Sequence, residues 1–254
     1  MSTTSGKSLK DLGSLPPPAA DKVKAAASQP RKTTAGEAAA SGVLHPGVER
    51  WPVKTGTDAD AAEVGVNNIK GESLGPGIVD TTVEDMMALP RAADMPPVDS
   101  SFPKGSFYQN HRTAPTETTV WRLKATVTGA KLEQDGDYHL VLKGTSGKTM
   151  IGEIPDPDPA YVGNPVWLAD IKAARQAMDT KLGHPLKPVD FKPSEMAPPT
   201  TERFANAQAK GGGLTAVNAT ATIIGVGFFD SKHGQDGVAP TAIEIHPILS
   251  IVFG

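Results

Sequence analysis

Hydrophobic and polar positions alternate most clearly from residue 116 onward. In "TETTVWRLKATVTGAKLE" (116–133) Trp121, Leu123 and Ala125 fall on one side and Val120, Arg122 and Lys124 on the other. That period of two predicts a long half-buried strand, with Gly129 as a point where it can bend. "DYHLVLKGTSGKTMIGEIP" (137–155) reads as a hairpin turning at Gly144–Gly147. The period then changes to helical in "NPVWLADIKAARQAMDTKLGHP" (164–185). Trp167, Ile171, Ala174 and Met178 form one stripe, Asn164 is suited to the N-cap and Pro165 to the first turn, and Gly183 and Pro185 end the helix. "NATATIIGVGFFD" (218–230) and "TAIEIHPILSIVF" (241–253) read as two more strands, joined by the loop "SKHGQDGVAP".

Three strands, a helix and two strands follow the plan of an OB-fold, a small Greek-key barrel. The expected fold class is therefore mainly β: an OB-fold-like five-stranded barrel, one helix between its third and fourth strands, and a long, largely irregular N-terminal extension. Residues 116–254 form the expected domain. Residues 66–115 are punctuated by proline, with one short helix in "DTTVEDMMALP": Thr81 or Thr82 caps it, Glu84 and Asp85 occupy its first turn, and Pro90 stops it. Residues 1–65, with stretches such as "SLPPPAADKVKAAASQPRKTTAGEAAASG", offer few bulky side chains to repay the entropy of ordering and read as a disordered tether.

Composition narrows the function classes. The chain has no cysteine, which excludes disulfides and thiolate metal sites. A formal net charge of −3 disfavours a general nucleic-acid binder. The absence of an 18-residue apolar run predicts no membrane span, and the N-terminus lacks the apolar core of a signal peptide. A cytosolic location is the default expectation, with removal of a leader or export by another route as the alternative. "GVGFF" and "KGGGL" lack the strand-to-helix context of a phosphate loop, and no Gly-x-Ser-x-Gly elbow occurs. Trp121, Tyr138, Phe228 and Phe229 read as core aromatics.

Alternation along the strands places Asp137 with His139, and Glu244 with His246, on shared faces. Glu153 lies on the hairpin strand opposite His139, and His233 sits in the last loop beside Asp236. Imidazole and carboxylate in such a group suit a divalent metal ion, or general acid/base work with a tuned histidine. Asp137, His139, Glu244 and His246 are the candidate ligands, and Glu153 and His233 the candidate catalytic groups. The competing reading treats Asp135-Gly136 as a simple turn, Asp137/His139 as solvated surface, and Glu244-Ile245-His246-Pro247 as an edge strand that tolerates proline.

The stretch "ATVTGAKLEQDGDYHLVLKGTSGKTMIGEIPDPDP" resembles the opening of the staphylococcal nuclease family. That resemblance implies an OB-fold in which Asp137 and Asp156 bind calcium. The family's two phosphate-neutralising arginines lack a counterpart in the hairpin, and Pro159, beside Asp158, stands where its glutamate belongs. "DGDYHLVL", "TMIGEIPDP" and "GVGFFDSKHGQDGVAPTAIEIHP" also resemble a family of bacterial OB-fold-like domains that implies no activity. The expected function is a binding or interaction module that meets a protein partner through its N-terminal extension. The alternatives are a metal-dependent hydrolase of nuclease or phosphodiesterase type and a structural component of a larger assembly.

Overall fold

A computed structural model describes residues 7–8, 49–65, 77–133, 135–158, 162–186 and 214–254. Its strands are β1 (Lys7–Ser8), β2 (Ile78–Thr81), β3 (Val120–Leu132), β4 (Tyr138–Lys143), β5 (Thr149–Ile154), β6 (Thr215–Phe229) and β7 (Ile243–Phe253). The helices are α1 (Trp51–Thr55), α2 (Val83–Met87) and α3 (Pro165–Leu182). The strands form one mixed sheet in the order β1-β2-β3-β4-β5-β7-β6, to which β1 adds only a two-residue rung. β3 also pairs with β6, so β3, β4, β5, β7 and β6 close into a ring.

The apolar alternation of β3 makes this closure possible. The strand bonds to β4 and β6 on its two sides, and its register shifts between Val127 and Gly129, where the sequence predicts a bend. Trp121, Leu123, Leu140, Leu142, Ile223 and Ile251 fill the core between the ring and α3. The α3 stripe is buried as its spacing predicts, Asn164 accepts from the amides of Val166 and Trp167, and Gly183 ends the helix at φ 78°. No helix among the described residues is long and apolar enough to cross a membrane.

Three sequence expectations change. β2, running parallel to β3, is a strand the sequence pattern does not predict. Pro247 lies not on an edge but in β7, which pairs with β5 on one side and β6 on the other; it falls where the β6–β7 register shifts around Gly225–Gly227, so no regular ladder bond is lost there.

The third change concerns the tail. Of residues 1–65, 49–65 are built into the fold, and apart from Lys7–Ser8 the rest lies outside the described residues. Arg50 is fully buried: its guanidinium donates to both Glu117 oxygens at 2.6 and 2.8 Å and to the carbonyls of Tyr108, His111 and Phe229. Arg112 pairs with Asp58 and donates to the Val53 carbonyl. Buried charges are tolerated when paired and hydrogen-bonded, and both conditions hold here.

Gly56, the C-cap of α1, locks this segment to α3. Its φ of 70° is left-handed, and an added Cβ would lie 2.6 Å from the Trp167 ring. Gly56→Ala is therefore expected to destabilise the protein by about 2–4 kcal/mol, combining the left-handed backbone cost with overpacking. Denaturant unfolding measures it, and a loss below about 1 kcal/mol would mean that the indole gives way freely.

Candidate functional site

Five residues singled out in the sequence, Asp137, His139, Glu153, Glu244 and His246, converge. Asp135-Gly136 turns the chain into β4, leaving Asp137 just before that strand and His139 within it. The hairpin register sets His139 opposite Glu153, and the parallel pairing of β5 with β7 sets Ile151 opposite Glu244. Glu153, Glu244 and His246 thereby meet Asp137 inside one group.

His246 is the centre of that group. One ring nitrogen, Nε2, lies 3.3 Å from Asp137 Oδ2. The other, Nδ1, lies 3.1 Å from Glu153 Oε2 and 3.9 Å from Glu244 Oε2. Asp137, His139 and His246 are 0% exposed, Glu244 1% and Glu153 8%, so the solvated-surface alternative is overturned. The side of β4 that bears His139 is covered because the β6–β7 loop folds over it: the His139 Nε2–H donates to the Asp236 carbonyl at 2.9 Å, and Gly237 packs against Val141. A carbonyl only accepts, so the neutral ring has its lone pair at Nδ1. That nitrogen faces Glu153 Oε1 at 3.0 Å and Glu133 Oε1 at 3.4 Å.

Polar satisfaction at this centre is incomplete. Asp137 Oδ1 accepts from the Asp156 amide at 2.9 Å, but Asp137 Oδ2, both Glu244 oxygens and both His246 nitrogens are buried without an aligned hydrogen bond. Such orphans in a buried site call for an explanation, because each costs about 1–3 kcal/mol if left unmade.

The charges respond to this crowding. Burial, reinforced by the charge of Glu153, pushes the Glu244 carboxyl up to about 8. Burial and Asp137 push Asp135 well above the usual carboxylate range. Burial alone would raise Glu153 too, but the His139 and His246 rings hold it well below that range. Burial disfavours both imidazolium ions, yet the carboxylates beside them outweigh it: Glu153 raises His139, while Asp137, Glu153 and Glu244 raise His246 well above the ordinary histidine value.

Several contributors carry no signal in the strand pattern. Lys54 of α1 is buried, and against the effect of burial the fields of Asp230, Glu153, Asp135 and Asp137 raise its ammonium. Arg175 of α3 stacks 3.6 Å from the centroid of the Tyr138 ring; it donates to the carbonyls of Gly136, Ile154 and Pro155, stapling the Asp-Gly turn to the end of β5. Glu133 joins from the residue after β3, where Lys131 Nζ lies 3.1 Å from its Oε1.

His233 is placed differently. Its amide donates to Gln235 Oε1, and its ring contacts Gln235 Nε2 at 2.6 Å, with Asp230 Oδ2 3.9 Å away. It braces its own loop, and burial pushes its ring below the ordinary value. Asp156, matched to a calcium ligand by the nuclease resemblance, meets Asp137 through its amide; its Oδ1 accepts from the Asp158 amide.

No family model, curated protein or solved structure matches this chain.

Proposed function

We propose that this protein is a binding module built on an OB-type barrel, and that it holds a divalent cation on the face of β4, β5 and β7 turned away from the apolar core and covered by the β6–β7 loop. The observation that carries this reading is the arrangement of Asp137, Glu153 and His246. Their ligand atoms lie within 4.8 Å of one another, fully or almost fully buried, and His246 together with Asp137 Oδ2 lacks aligned hydrogen bonds. Glu244, 3.9 Å from His246 and without an aligned hydrogen bond, is the fourth donor. Two or three carboxylates with an imidazole suit zinc, manganese or a similar ion. Bound there, the ion would supply a fixed positive charge that joins β4, β5 and β7.

The strand order supports the OB-type reading. Taken from the start of β3, the ring runs first, second, third, fifth, fourth and back to first, with α3 between the third and fourth. A metal-dependent hydrolase using the same residues is less well supported. In that reading the developing phosphate charge would fall on the metal ion alone, because Nε and Nη2 of Arg175 are committed to backbone carbonyls. His233, the proton-transfer candidate, is hydrogen-bonded within its own loop. A protein partner met through the N-terminal extension would engage residues before 49, because 49–65 pack into the fold.

Metal analysis of the purified chain, with thermal melts before and after chelation, tests the proposal. At least one divalent ion per chain is expected. Its removal should lower the melting temperature by about 5–10 °C, the equivalent of about 2.7 kcal/mol at a hundredfold excess over Kd. Asp137→Asn with His246→Ala should abolish the difference. A protein that carries no metal, and whose melting no added divalent ion shifts, would overturn the reading.

A further inference from the structure

Resting on that cation-holding reading, we infer that the centre takes two divalent cations, not one, with Glu153 as a carboxylate bridge between them. The two oxygens of Glu153 serve different neighbours: Oε2 faces His246 Nδ1 at 3.1 Å, and Oε1 faces His139 Nδ1 at 3.0 Å. On the Oε2 side stand Asp137, His246 and Glu244. On the Oε1 side stand His139 and Glu133, and the ligand atoms of Glu133, His139 and Glu153 again lie within 4.8 Å of one another.

The second position has the features of a metal pocket in its own right. His139 donates its Nε2–H to the Asp236 carbonyl, the outer-shell bond that fixes a ligating histidine's tautomer and aims its other nitrogen at the ion. That nitrogen faces two carboxylate oxygens at 3.0 and 3.4 Å, a place for either a proton or a cation. Glu133 Oε1 is buried without an aligned hydrogen bond. Paired ions in two-metal sites stand about 3.5–4 Å apart, a spacing that one bidentate carboxylate spans.

Charge favours a double load. Glu133, Asp135, Asp137, Glu153 and Glu244 bring five carboxylates to this region, against the three side-chain cations of Lys54, Lys131 and Arg175. Lys131 already neutralises part of Glu133 at 3.1 Å. The His139 position is consequently the weaker of the two and fills second.

The test titrates the chelator-stripped full chain with Mn2+, following stoichiometry by calorimetry and ion–ion coupling by electron paramagnetic resonance. Two Mn2+ per chain are expected, with a spin-coupled signal at saturation. His139→Ala and Glu133→Gln should each leave one Mn2+ and remove the coupling. Glu133 is the less buried of the two, so Glu133→Gln decides the matter if His139→Ala does not fold. One Mn2+ in the wild type, or two without coupling that both variants retain, would overturn the second position while leaving the first. No Mn2+ binding together with no effect of any divalent ion on melting would remove both readings.

Discussion

Glu117→Ala is expected to lower stability by about 3–5 kcal/mol, a fall in melting temperature on the order of 10 °C. The carboxylate is fully buried and is, among the described residues, the sole acidic partner of the Arg50 guanidinium. It also accepts from the amides of Thr113 and Phe229. Alanine leaves a cation, set between the Phe102 and Phe228 rings at 4.8 and 4.7 Å, without its counter-charge, and orphans two amides. The large cost lies in leaving one charge unpaired, not in the worth of the pair itself. The double replacement Arg50→Met with Glu117→Leu should therefore recover much of the loss, as denaturant unfolding of the three proteins will measure. Equal losses in the single and double variants would mean that packing, not charge, dominates at this point.

That ion pair also explains where the sequence misleads. The composition of residues 1–65 offers no apolar periodicity, so nothing in it marks Arg50, Lys54 or Asp58 as buried. Their burial depends on Glu117, Arg112 and Asp230, which stand far along the chain, and pairing at that distance leaves no trace in a local pattern. The elements that are legible are those set by local rules. Asn164, Pro165 and Gly183 bound α3 because capping chemistry acts over three or four residues, and the alternation in 120–125 and 138–142 gives β3 and β4. The candidate cluster is legible to the same degree. Residues two apart share a strand face, and hairpin register brings Glu153 to His139. The meeting of Asp137 with His246 needs the parallel β5–β7 pairing, which no turn signal encodes, and the covering of His139 needs the β6–β7 loop. Strand β2 leaves no sequence signal for a related reason: its four residues, between glycine-rich and threonine-rich stretches, are too few to display a period.

Arg175→Ala is expected to reduce both stability and cation binding, and the two losses can be separated. The side chain is buried, lies over the Tyr138 ring, and donates to three carbonyls, one of them that of Gly136 in the turn leading to Asp137. Removing it leaves those carbonyls without their donor and opens a void under Tyr138, for an expected loss of about 3–5 kcal/mol. The turn is then held by Asp137 N to Asp135 Oδ1 at 3.2 Å, Gly136 N to the Glu133 carbonyl at 3.1 Å, Glu133 N to the Asp137 carbonyl at 2.8 Å and Asp156 N to Asp137 Oδ1 at 2.9 Å. Arg175 ties the Gly136 carbonyl to the end of β5, and Asp137, one residue before β4, follows that carbonyl directly. Cation affinity should therefore fall by about tenfold or more in variant protein that is still folded, as outer-shell changes commonly cause. Arg175→Lys, which keeps the charge but not the forked donor geometry, should recover little of either property. If the folded alanine variant binds Mn2+ as tightly as the wild type, the turn is organised by β4 alone, and Arg175 is a support of the α3 interface without influence on the centre.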